Sequence, residues 1–129
     1  MTQENKDLLL RDLCMRLPYG VKCEIKCEKE VYTLNRIEID HENGHLLDFV
    51  EQKNGFNMQV YSSEVKPYLF PMSNITKEQF KEYWELEHSG DMEHLSTPLL
   101  DWLLKNYFDL FGLIPQGRAN DATGLGIYE

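Results

Sequence analysis

Long apolar runs are missing from this 129-residue chain. No stretch approaches the roughly 20 apolar residues that cross a bilayer, so a membrane partner is not expected. The start, MTQENKDLLLRDL, also lacks an apolar run followed by a small-residue cleavage site, so no signal peptide is expected. A basic cluster is missing too. The chain has 22 acids against 13 bases, a formal net charge of -9. Lys22, Lys26 and Lys29 are each followed within two residues by Glu. Counterion-release binding to nucleic acid needs clustered Lys and Arg, so a nucleic-acid partner is not expected.

Cysteine is scarce. Cys14, Cys23 and Cys27 are an odd number with no export signal, which predicts reduced thiols in a cytoplasmic protein. Five prolines and eight glycines are too few for a collagen-like or low-complexity chain. The signatures GxSxG and GxxxxGK[ST] are absent from the sequence, which removes the common nucleophile-elbow and P-loop chemistries. Gly124-Leu125-Gly126 is too short to cradle a dinucleotide.

What is present is one domain's worth of core, with 42% apolar residues. Residues 3–17 have helical spacing: Leu9, Leu10, Leu13, Cys14 and Leu17 make the predicted buried stripe, with Lys6, Asp7 and Arg11 facing away. Pro18 and Gly20 end it. Residues 21–28 alternate apolar and charged, a half-buried strand that would bury Cys23 and Cys27. A second strand is expected over 31–39. Tyr32 and Leu34 are out of phase with Ile37 and Ile39, which calls for a bulge near Asn35 or Arg36. A turn at 40–44, a third strand over 46–50, an Asn54-Gly55 hairpin turn and a strand carrying Phe56, Met58 and Val60 complete a meander. Pro67 and Pro71 predict an edge strand or extended connector within 62–75, because proline cannot donate to a central ladder. Thr76 and Gln79 form a capping box that opens a helix carrying Phe80, Tyr83 and Trp84. Thr97-Pro98 opens a third helix, with Leu100, Leu103, Leu104, Tyr107 and Phe108 as its stripe and Gly112 as its end.

These elements predict an α+β fold as a single domain over 1–129, with 113–129 an irregular tail. The expected sheet is small, twisted and antiparallel, on the way to an SH3-like barrel. Leu9, Leu13, Phe80, Trp84, Leu100, Leu103 and Tyr107 are expected to cover its apolar face.

One spacing is metal-like: Cys23-x3-Cys27-x13-His41-x3-His45. In a strand, residues four apart are roughly 13 Å distant, while one zinc ion needs its sulfurs at about 2.3 Å. No metal and no cofactor are therefore expected. The residues expected to bind are aromatic. The segment 68–111 is rich in rings, and Tyr68, Phe70, Trp84, Trp102 and Tyr107 are candidates for a docking surface onto another protein. Two other uses are open. The acidic segment 78–93 could mimic DNA, and His88 and His94, with nearby acids, could serve a small metal-assisted hydrolase. A subunit role in a larger assembly is a further option.

Three segments taken together, LLLRDLCMRLPYGVK (8–22), EVKPYLFPMS (64–73) and LLDWLLKNYFDLFGLIPQG (99–117), resemble a family of small uncharacterised proteins of gut bacteria, often found in prophages or mobile elements. The resemblance implies a cytoplasmic accessory protein and transfers no residue role. The combined expectation is a non-enzymatic protein-binding module.

Overall fold

Alternation of period two becomes the sheet that organises the molecule. In the computed structural model, which describes residues 3–38, 45–51, 53–87 and 97–128, β1 (Lys22–Ile25), β2 (Tyr32–Glu38), β3 (Leu46–Glu51) and β4 (Asn57–Tyr61) form an antiparallel meander. Cys23, Ile25, Tyr32, Leu34, Leu47 and Phe49 are buried on its inner face. The register shifts between Leu34 and Arg36. That bulge returns Ile37 to the core side, where it packs against the same cluster. Gly55 has a φ of 73°, as the Asn-Gly turn requires, and Asn54 Nδ2 donates to Glu51 Oε1 at 2.8 Å. Ile39 and the turn at 40–44 lie outside the described residues.

β5 (Val65–Leu69) corrects the expectation of an edge strand or connector. It pairs antiparallel with β1, and the two-residue β6 (Asn120–Asp121) pairs parallel with its other side. Pro67 lies opposite Cys23, and the pairing with β6 starts only at Tyr68, so the ring lacking an N–H falls outside the stretch that β6 covers. The strand order β4-β3-β2-β1-β5-β6 is an open, mixed sheet, neither purely antiparallel nor closed into an SH3-like barrel. It is nonetheless curled. In a flat sheet β4 and β5 would be about 19 Å apart, but residues 62–64 alone connect them, a reach of at most about 14 Å.

α1 (Gln3–Arg16) packs on this curl through Leu9, Asp12, Leu13 and Arg16, all buried. The expected stripe is therefore rotated, and Cys14 is exposed. Cys27 corrects a second expectation. β1 stops at Ile25, the Glu28 amide donates back to Ile25 O at 3.0 Å, and Cys27 turns outward at a φ of 69°. Cys23 alone is buried, and burial there pushes its thiol well above the ordinary range. A thiol reagent such as Ellman's is expected to titrate two cysteines in the native protein and the third only on unfolding. Three fast thiols would contradict the burial of Cys23.

α2 (Lys77–Glu87) starts with the expected box: the Thr76 amide donates to Gln79 Oε1 at 3.0 Å, and the Gln79 amide to Thr76 Oγ1 at 3.1 Å. α2 packs against α3 (Thr97–Lys105), and Phe80, expected over the sheet, is 54% exposed. α3 ends seven residues before Gly112. Leu99, Trp102 and Leu103 form a second small core with Phe108, against Phe70, Ile75 and Leu110. The sheet's own core takes Leu113 and Ala119 from the C-terminal segment, and Tyr107 packs against it as expected.

Candidate functional site

The place where α3 stops shapes the most distinctive surface. The Tyr107 amide donates to Leu104 O at 3.1 Å and the Phe108 amide to Leu103 O at 3.0 Å, a Schellman termination. Glycine normally takes the left-handed position of that motif, but here Tyr107 adopts a φ of 61°, at a cost of about 1 kcal/mol. Surrounding contacts hold it there. Its hydroxyl donates to Tyr19 O, and its carbonyl accepts the Phe70 amide at 2.8 Å. The Asp109 amide then donates to Phe70 O at 2.9 Å, so the end of β5 is tied to the end of α3.

The C-terminal segment closes the other side. Tyr128 stacks on Tyr107 with ring centroids 3.7 Å apart and 12° between planes. Its hydroxyl donates to Tyr68 O at 2.7 Å and accepts the Lys22 amide at 3.0 Å. Lys22 Nζ donates to Ile127 O at 2.9 Å and sits 5.7 Å from the Tyr128 ring centroid. The tail expected to be irregular has little regular structure, but it is docked. Burial raises the pKa of both phenols, Tyr128 strongly, with the Arg16 charge opposing the rise at each. Each hydroxyl keeps its proton and spends it on a backbone carbonyl.

Between these walls lies a cleft of about 440 Å³. Phe70, Tyr107, Phe108 and Tyr128 supply its aromatic surface, and Asn74, Gln79 and Asn106 its amides. Phe70 stands 6.0 Å from Tyr128 and 6.5 Å from Phe108, centroid to centroid. Trp102 stacks behind Phe108 at 5.5 Å. In a chain with 22 acids, the described lining contains no Asp or Glu, and Lys105 is its single formal charge.

The sequence-derived binding residues therefore meet in part. Phe70 and Tyr107 line the cleft, and Tyr68 supports it through its carbonyl. Trp102 is a correction: at 8% exposure it is core beneath the wall. The Trp84 side chain, His88 and His94 lie outside the described residues, as does most of the side-chain detail of 78–93. Tyr128 and Asn106 were missed. An aromatic residue amid tail glycines was the available signal for Tyr128, while a left-handed tyrosine leaves no trace in a sequence.

Among the described residues, no three His, Cys, Asp or Glu side chains gather closely enough to hold a metal ion. His41 of the metal-like spacing lies outside them, and Cys23 and Cys27 are separated by burial of one and exposure of the other. No described helix is long and apolar enough to cross a membrane. The chain matches no protein-family model, no curated protein and no solved structure.

Proposed function

We propose that this chain is a non-enzymatic binding module of the cytoplasm, an accessory protein of a mobile element, which seats a segment of another protein in the aromatic cleft. The observation that carries this reading is the cleft itself: four rings, three amides and no carboxylate along its described lining. Its volume suits one or two anchoring side chains. Aromatic walls with an amide rim are the composition in which binding energy concentrates. Lys105 at the rim favours a segment with an apolar anchor beside an acidic group. The non-enzymatic part rests on the phenols, whose protons are already committed to carbonyls and which would be poor general bases. The exposed thiols of Cys14 and Cys27 suit a reducing compartment.

Photo-crosslinking residues placed at Asn74 and Lys105 are expected to trap one and the same host protein, and a crosslinker at exposed Glu30 is not. Lys105→Glu should weaken that capture roughly tenfold, since it reverses the only charge on the described rim. Unrelated proteins trapped at the two rim positions, or capture indifferent to Lys105→Glu, would refute the reading.

A further inference from the structure

The outer edge of β4 is a second surface, sharing no residue with the cleft. Among the described residues nothing pairs with it. Edge strands are ordinarily guarded by Lys, Pro or a bulge. Residues 54–63 contain no charged residue and no proline, although 27% of the chain is charged. The β3–β4 register also runs without a shift. Two large apolar side chains flank the edge uncovered: Phe56 is 66% and Tyr61 44% exposed.

The ladder fixes which backbone groups point outward. The Glu51 amide donates to Phe56 O at 2.7 Å and the Ser62 amide to His45 O at 3.1 Å. Antiparallel alternation then turns the amides and carbonyls of Met58 and Val60 toward β3, and those of Asn57, Gln59 and Tyr61 outward.

We propose that this edge pairs with the same edge of a second copy of the chain, antiparallel about a twofold axis at Met58. The pleat demands that paired residues share a face, so the axis must pass through a residue rather than between two. Centred on Met58, the pattern is self-complementary: Phe56 meets Val60 of the second copy, Asn57 meets Gln59, and Met58 meets itself. The two Asn57–Gln59 pairs face each other through outward backbone groups and make four hydrogen bonds. Phe56 lies on the same face as the half-buried Met58 and Val60 but beyond the end of β4, and the second copy's Val60 covers it. The association is isologous and closes as a dimer. Each copy carries a net charge of -9, so added salt should strengthen it by screening the repulsion.

Sedimentation equilibrium over about 5–500 µM is expected to show a reversible dimer with Kd on the order of 10–100 µM. Gln59→Pro removes an outward amide while leaving the β3 ladder intact, and should weaken the dimer at least roughly tenfold. In a Cys14→Ser/Cys27→Ser background, Met58→Cys should oxidise to a covalent dimer. Val60→Cys should not, because its two copies would lie about 13 Å apart. The crosslink keeps the test decisive should circular dichroism show that Gln59→Pro does not fold. A monomer at every concentration, including one whose edge is taken by a different protein, overturns the proposal. So does a dimer indifferent to Gln59→Pro, or one that crosslinks at 60 instead of 58.

Discussion

Arg16→Ala should destabilise the protein by about 3–5 kcal/mol at neutral pH, and by clearly less near pH 4. Arg16 and Asp12 are both fully buried one turn apart on α1. Arg16 Nε lies 3.0 and 2.9 Å from the two Asp12 oxygens, and Nη2 donates to Phe108 O. Nη1 is buried and makes no hydrogen bond among the described residues. Removing the guanidinium strands a carboxyl group and a carbonyl in the core at once.

The pH dependence follows from Asp12. Burial raises its pKa above the ordinary 3.8, Arg16 pulls against that rise, and the Asp109 charge adds to it. A carboxyl whose folded pKa exceeds the unfolded value holds its proton more tightly in the native state. Its contribution is greatest at low pH and is lost as pH climbs above 3.8 through the folded value. Without Arg16 the opposing pull disappears, so the folded value moves higher and the loss at neutral pH grows. Toward pH 4 Asp12 takes up its proton more readily in the variant than an ordinary carboxyl does, so the charge part of the loss shrinks and packing and the Phe108 carbonyl make up more of what remains. Urea titrations of both proteins at the two pH values measure this. Asp12→Leu/Arg16→Met, which removes both charges at similar volume, should cost less than about 1.5 kcal/mol. A double variant as damaged as the single one would refute the ion-pair account.

The same pair marks where the sequence is opaque. Spacing rules score Leu9, Leu10, Leu13, Cys14 and Leu17 as one stripe because charge is counted as solvent-facing. The helix instead buries Leu9, Asp12, Leu13 and Arg16, a face defined by an ion pair that no hydropathy pattern credits. Features set by local chemistry were legible: the bulge after Leu34, the Asn-Gly turn and the Thr76–Gln79 box each need only a few neighbouring residues. Features set by distant partners were not. β5 reads as an edge from its prolines, yet β6, some 50 residues later in the chain, supplies its second neighbour. α3 reads as continuing to Gly112, yet it ends where Tyr107 takes a left-handed turn held by Tyr19, Phe70 and Tyr128. Of the cleft, the rings at 70 and 107 could be named in advance; the wall from the tail could not.

That wall is the basis of the other large effect. Tyr128→Ala should cost about 2–4 kcal/mol and release the segment after Ala122. The ring's stacking on Tyr107, its hydrogen bonds to Tyr68 and Lys22, and the Lys22 contact with its face all vanish together. The loss sits below the usual range for a core aromatic because the segment can leave without unfolding the sheet. What ties it otherwise is β6, the Ala122 amide, which donates to Leu69 O at 2.9 Å, and two side-chain hydrogen bonds, from Asn74 Nδ2 to Thr123 Oγ1 and from Lys22 Nζ to Ile127 O. Tyr128→Phe separates the two contributions: it keeps the stack and loses the hydroxyl, leaving the Tyr68 carbonyl and Lys22 amide without that partner, and should cost about 1–2 kcal/mol. Hydrogen exchange gives the decisive readout. Amides of 123–128 should exchange much faster in Tyr128→Ala while those of β2 and β3 keep their order of protection. Uniform acceleration across the sheet would mean that the tail is part of the core rather than a strap over it. If the strap account holds, Tyr128→Ala also removes one wall of the cleft, and crosslinking from the Asn74 rim should fall with it while the sheet remains folded.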